Sequence, residues 1–442
     1  MQKPRLDYLK YVLFIVSAIT PILGYGQPKL KQYVQQETKD IPSLITDNSD
    51  DLLPIRQAVG DSRVVMLGEQ SHGDGTTFLA KTKLIKYLHE QMGFNVLAFE
   101  SDFFALTEGW KHTSHDSATV SRFFKENLYP VWSYSEECSL LLYNYIPDSY
   151  RSTHPLIIAG FDNQMHGRFT TDSLKKSLDE FLSTNHSEYY ESDDYKSLFL
   201  PFIDTLLPSN YKTTLYLDSL VNTDFIKQLE KFQTAVEGIE KELPNSQKRE
   251  APYLALENLK EFAIEICNQG KSASHNTREA RMAKNLKWLV EERYPNEKII
   301  VWAANLHIMK NGETSFKNPH LGIASMGHYF STDSALHQQT YMLGFTSNYG
   351  QSQTAPKASL NQPLFLIKKS RRNDFENWID QELDYAFIDF QAFKKKYPDY
   401  ADYFKLKARG HSAIEARWTE VFDGIFYIKE MQPSHFLKSK RP

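Results

Sequence analysis

"VVMLGEQSHGDGTTFLAKTKLIKYLHEQMGFNVLAFES" (residues 64–101) is the stretch whose reading decides the fold. "RVVMLG" (63–68) is a short, continuous apolar run of the kind that forms a strand buried on both faces. A helical pattern follows, starting near Thr76 or Thr77. In it Phe78 and Ile85 stand seven apart, Leu84 and Leu88 four apart, and Gly93 closes the segment. "FNVLAFE" (94–100) is a second strand. Strand, helix, strand in this order is the unit of a parallel sheet. Between the first strand and the helix lies "GEQSHGDGTTF" (68–78), which crowds Glu69, Ser71, His72 and three glycines into one turn.

Working outward, "PLIIAGFD" (155–162) and "KIIVWAANLHI" (298–308) read as a third and a fourth strand. "TYMLGF" (340–345), "LFLIKK" (364–369) and "GIFYIKEM" (424–431) read as later ones. The pattern predicts a three-layer α/β/α fold with a mainly parallel central sheet. Residues 170–292 carry almost no strand signal and read as a helical insertion, placed to act either as a lid over a site or as a structural appendage.

The polar residues then fall in a telling place. Glu69 and His72 follow the first strand, and Glu100 ends the second. Asp162 ends the third, and Asn305 and His307 end the fourth. In an open parallel sheet the carboxyl ends of the strands share one edge, and ligands bind there. Residues far apart in the chain are thus expected to converge. Asp102, ahead of "FFALTEGW", reads as a helix cap. Gly73 and Gly75 would leave backbone N–H groups of the 73–76 loop open to an anion or an oxyanion.

The N-terminus reads differently. Lys3, Arg5 and Lys10 precede an apolar run broken by Pro21, and Gly24 and Gly26 flank Tyr25. Residues 1–26 are expected to be a secretory signal peptide, with residues 27–442 forming the mature domain, secreted or periplasmic. The run is short for a membrane span, so no stable span is expected after removal. Cleavage takes three basic residues and one acid from 51 and 55, leaving 48 against 54 and a net charge of −6. That balance speaks against nucleic acid as a partner. The basic runs "KKSRR" (368–372) and "FKKKY" (393–397) are expected to be solvated faces. Cys138 and Cys267 lie in apolar helical patterns and are expected to be buried thiols, although pairing is open. Trp110, Trp132, Tyr134 and Tyr143 are read as core more than as pocket lining.

Several familiar sites are excluded. There is no G-x-S-x-G elbow, no G-x-G-x-x-G and no Walker A loop, and "HEQMG" (89–93) fails as a zinc-binding helix. Two cysteines cannot build a cysteine zinc site.

The opening stretch, with "AGFD" (159–162), "NTREARMAKNLKWLV" (276–290), "VWAANLHI" (301–308) and "SMG" (325–327), resembles the erythromycin esterase family over residues 60–330. The resemblance implies an α/β/α fold with a helical insertion and hydrolysis of an ester or lactone by activated water. It makes His72 the general base, assisted by Glu69 and Glu100, with His307 across the crevice. Lys81, Asp162, Asn305 and Arg278 are the implied substrate-binding residues. The partner is then a small-molecule ester or lactone, and no cofactor is expected. The chain departs from the best-known macrolide esterases at Ala304, where they carry a second His. It departs again at Thr76 and Thr77, near which they carry a Glu, and at Lys81, where they carry Arg. Two alternatives stay open. One is a metal-dependent hydrolase or peptidase of the wider superfamily, with a divalent metal on Glu69, His72, Glu100 and His307. The other is a haem- or small-molecule-binding protein, for which His112, His115, His166 and His328 are the available ligands.

Overall fold

The computed structural model describes residues 26–46, 48–207, 221–268, 272–353 and 363–437. The expected signal peptide therefore lies, apart from Gly26, outside the described residues. The strands are β1 (Lys39–Asp40), β2 (Val64–Leu67), β3 (Phe94–Asp102), β4 (Ile157–Asp162), β5 (Lys298–Trp302) and β6 (Thr340–Gln353). They continue with β7 (Leu364–Ile367), β8 (Tyr385–Asp389), β9 (Phe404–Arg409), β10 (Ser412–Ala416) and β11 (Gly424–Met431).

The main sheet runs β1-β8-β11-β6-β2-β5-β3-β4, with β7 paired on β6. The centre, from β11 to β4, is parallel, and β1, β7 and β8 add antiparallel edges. The chain leaves β2 for β3 and β4 on one side, returns to β5 beside β2, and then crosses to β6 on the other side. That reversal beside β2 is where an open sheet forms its crevice.

The alternation along each strand shows why two helical layers are needed. Val64 and Met66 of β2 enter one core, and Val65 and Leu67 enter the other. Ile299 and Val301 of β5 share the first core, and Ile300 and Trp302 the second. The helix Gly75–Met92 covers the second face. It ends as expected at Gly93, whose φ of +71° is left-handed and whose N–H returns to the carbonyl of Leu88.

The insertion has a core of its own. Helices Arg168–Thr184, Leu200–Leu206, Thr223–Glu242 and Ala251–Cys267 pack around Phe199, Phe202, Phe232 and Leu256. The following helix, Ser272–Trp288, belongs to the main body, because Met282 and Leu286 join the first sheet core. Cys138 lies buried in the second sheet core, whereas Cys267 is only half-buried at the margin of the insertion core, so the two sulfurs sit in different layers. Among the described residues no helix is long and apolar enough to cross a membrane.

Three sequence expectations need correction. The run 298–308 is not one strand: β5 ends at Trp302, and Asn305–Ile308 is a single helical turn. β6 extends eight residues past "TYMLGF", to Gln353. Strands β8, β9 and β10 were not foreseen. β8 is short and bounded by acids, and the β9–β10 hairpin alternates charged with apolar residues, which hid it among polar loops.

Candidate active site

The site is built at the carboxyl edge of β2, β5, β3 and β4. Gly68, just past β2, is a close-approach glycine: a Cβ there would meet Asn305 Oδ1 at 1.9 Å. Asn305 was expected to touch substrate. It is instead a buried brace. Its amide nitrogen donates to the carbonyls of Phe345 (2.8 Å) and Ala408 (2.7 Å), its oxygen accepts from Phe345 N–H (3.0 Å), and its own N–H donates to the Glu69 carbonyl (2.7 Å). It fixes the loop after β2 against β6 and β9.

Glu69 is fully buried and carries four donors. Its Oε1 faces His72 Nδ1 (2.6 Å) and Trp132 Nε1 (3.3 Å). Its Oε2 accepts from Lys81 Nζ (2.6 Å) and Trp302 Nε1 (3.0 Å). Lys81 also donates to the Ala303 carbonyl (3.0 Å), lies 4.5 Å over the Trp302 ring and has no exposed side-chain surface. It therefore does not bind substrate; it compensates Glu69. Burial lowers the Lys81 pKa, and the Glu69 carboxylate acts against that. Trp132 was read as core more than as pocket lining and Trp302 was not singled out, because a buried indole reads as core until its N–H finds a partner.

His72 reaches outward from this base. Its side chain keeps 29% of its surface exposed, its ring stands edge-on to Trp132 at 5.5 Å, and its Nε2 lies 3.9 Å from Glu100 Oε1. Burial disfavours its charge, but the Glu69 hydrogen bond and the Glu100 charge outweigh burial and raise its pKa. In the neutral form with Nδ1–H given to Glu69, the lone pair is on Nε2.

The opposite wall is a second charge cluster. His307 Nε2 meets Glu100 Oε1 at 2.9 Å, and its Nδ1 meets Glu279 Oε1 at 2.6 Å. Burial works against its charge, but two carboxylates prevail and push its pKa up to about 10, so it is an imidazolium at neutral pH. Glu100, despite burial, is held well below the usual carboxylate range by His307, His72 and Arg278. Its Oε2 accepts the Ala304 N–H at 2.9 Å, so Ala304 contributes its backbone here. Arg278 forks onto Asp162 (3.0 and 2.6 Å) and reaches Glu100 at 3.2 Å. Tyr129 donates to Asp162 at 3.1 Å. Asp162 is fully buried and aims Arg278, which keeps 14% of its side chain exposed.

Glu279 was missed, although it adjoins Arg278 in "NTREARMAKNL". Its second oxygen accepts Met326 N–H (2.7 Å), tying the helix Ser272–Trp288 to "SMG". Asp102 is the cap it was expected to be: Oδ1 accepts from Ala105 N–H (2.9 Å) and Oδ2 from Gly167 N–H (2.8 Å).

Two further expectations change. In the 73–76 loop, Asp74 N–H donates to Ser71 O and Thr76 N–H to Gln432 O, so those amides are not open to an oxyanion. The four residues named as alternative metal ligands pair with one another and with neighbouring cations. Each is engaged with a partner carboxylate or imidazole, or with Lys81 or Arg278, and among the described residues no group of three or more His, Cys, Asp or Glu is arranged to hold a metal ion. Of the histidines considered for haem, His115 stacks on Tyr150 at 3.8 Å. His166, beside Tyr129 and Phe262, is pushed down to about 4 by burial.

The erythromycin esterase sequence profile matches residues 89–431. The chain belongs to the erythromycin esterase family. The match reaches about a hundred residues past the stretch from which the sequence resemblance was drawn, and it begins after the His72 loop. Among the relatives of this esterase-family chain is the putative hydrolase YbfO of Bacillus subtilis, 27% identical over 404 residues, covering 88% of this chain and 89% of the relative. Erythromycin esterase type II of Escherichia coli is 22% identical over 409 residues, covering 88% and 94%. The erythromycin esterase EreC, solved as a histidine-to-asparagine mutant in its open conformation, superposes with a TM-score of 0.64 at 16% identity over 90% of this chain and 98% of its own. That likeness confirms the α/β/α fold. Family and relatives together indicate a hydrolase.

Proposed function

We propose that this esterase-family hydrolase cleaves an ester or lactone with a water activated by His72. One observation carries the reading: His72 has Nδ1 pinned on a buried carboxylate, while its Nε2 stands 3.9 Å from the nearest carboxylate oxygen and its ring stays 29% exposed. In the proposed reaction Nε2 takes a proton from water, and the resulting hydroxide attacks the carbonyl carbon. Glu69 stabilises the imidazolium. Arg278, the cation at the cleft that is not enclosed, meets the oxyanion. On collapse His72 returns the proton to the departing alkoxide, giving an acid and an alcohol. Ala304 stands where the best-known macrolide esterases carry a His, so the substrate panel extends beyond erythromycin. The protein is proposed to be secreted or periplasmic after loss of residues 1–26; the mass of the mature chain tests this.

Hydrolysis of erythromycin, simple lactones and aryl esters is the test, with wild type and His72→Asn, each with and without chelator. Turnover lost in the variant and indifferent to chelator is expected. Turnover abolished by chelator and restored by a divalent metal would replace the proposal with the metal-dependent reading.

A further inference from the structure

The run "KKSRR" was expected to be a solvated face. Lys368, Lys369, Arg371 and Arg372 are indeed exposed, and the fold also makes part of the run one wall of a cavity of about 480 Å3, well within the range of small-molecule sites. Lys368, Lys369 and Arg371 line it from one side, and Lys405, Lys407 and His411 from the β9–β10 hairpin. Phe365 and Ile367 add apolar surface. The protein as a whole is net acidic, at −4, so this concentration of cations runs against its overall sign.

Few acids balance these cations: buried Glu376 and Asp374 act on Lys407, and Glu415 stands opposite Lys405 across the hairpin. The one carboxylate on the wall, Asp374, is buried and spends Oδ2 on the Arg371 N–H at 2.8 Å. Among the described residues no carboxylate lies within ion-pair distance of Lys368, Lys369, Arg371, Lys405 or Lys407. Elsewhere on the surface such pairs are common, as in Lys111–Glu108, Lys175–Asp204 and Lys317–Glu415. Lys407 is buried, with its ammonium held by the carbonyls of Asn348 (2.7 Å) and Lys368. A cleft lined by one sign of charge focuses its field on what enters.

We propose that this cavity binds a small oligoanion, a molecule bearing two or more phosphate or carboxylate groups. The site is separate from the cleft of His72 but stitched to its loop. His411 Nε2 meets Asp74 Oδ1 at 2.9 Å, and Asp74 Oδ2 holds the Ser71 N–H, one residue before His72. Gln70 donates to the Lys407 carbonyl (2.5 Å) and accepts from Gly410 N–H (3.3 Å). An occupant is therefore felt at the catalytic loop.

Calorimetric titration with inorganic pyrophosphate and with citrate, at about 0.15 M salt so that diffuse surface attraction is screened, tests the site without any turnover. Its failure is thus distinct from failure of the hydrolase reading. One saturable site is expected for at least one probe, and the probe that binds names the anion class. Affinity should fall at least tenfold in Lys368→Ala/Arg371→Ala, both exposed positions, and again in Lys405→Ala. It should hold in Lys395→Ala/Lys396→Ala, which removes as much charge from the other basic run. No saturable binding of either probe overturns the proposal. So does binding unchanged in the cavity variants, or lost equally in the control.

Discussion

His72 and His307 both approach Glu100 Oε1, at 3.9 and 2.9 Å, and their difference lies in how closely carboxylates hold each ring. His72 rests one nitrogen on Glu69 and keeps the other 3.9 Å from Glu100, beyond hydrogen-bond reach, with part of its ring exposed. His307 is enclosed, with Glu100 on one nitrogen and Glu279 on the other. The first arrangement leaves an imidazole able to take and return a proton. The second makes a fixed cation that organises two acids. The same residue type is thus set to two tasks by the second carboxylate, which arrives from the helix Ser272–Trp288.

The largest expected effect breaks the comparison at His72. His72→Asn should lower kcat/KM about 10²- to 10⁴-fold on any ester the wild type turns over, the usual span of a general base, with little change in melting temperature. A melting temperature that falls in the variant along with activity would instead mark His72 as structural. His307→Ala should do the reverse in kind. It leaves Glu100 and Glu279 buried without their shared cation, and removing one partner of a buried ion pair typically costs about 3–5 kcal/mol. Denaturant unfolding would show this as a lower midpoint; an unchanged midpoint would mean the cluster is not charged as described.

Glu69→Gln sharpens the contrast. It removes the carboxylate whose hydrogen bond most raises the His72 pKa, and with it a charge that raises it further. A base works when deprotonated, so the acid limb of the kcat/KM profile should move to lower pH. A limb that stays put would assign it to another group. The smallest effect is the pH dependence of stability. His307, ordinarily near 6.5 and here about 10, contributes stability fully present below 6.5 and lost as pH rises through about 10. Glu100 is depressed, so its contribution is present above its ordinary 4.5 and lost as pH falls below that. The two overlap most fully between 4.5 and 6.5. The wild type should exceed His307→Ala in melting temperature by the most in that window, and the gap should narrow toward pH 10.

The strands that carry the site were readable because each is a local pattern. The continuous apolar runs of β2, β3 and β4 announce a sheet buried on both faces, and the positions of Glu69, Glu100 and Asp162 relative to those runs place them at one edge. The helices Arg168–Thr184, Thr223–Glu242 and Ala251–Cys267 were legible for the same reason. The C-terminal part was less so: β8 is brief, and the β9–β10 hairpin, interleaved with Lys and Arg, resembles loop.

What the sequence by itself determined is therefore the layered α/β architecture and the edge at which Glu69, His72, Glu100 and His307 gather, since periodicity is a property of neighbouring residues. What only the tertiary structure decided is who faces whom. Glu279 as the second partner of His307, Trp132 and Trp302 as donors to Glu69, Lys81 as a buried counter-charge and Asn305 as a brace all depend on contacts between segments 12 to 233 residues apart. A buried charge takes its meaning from the groups that replace water around it, and those groups are chosen by the fold.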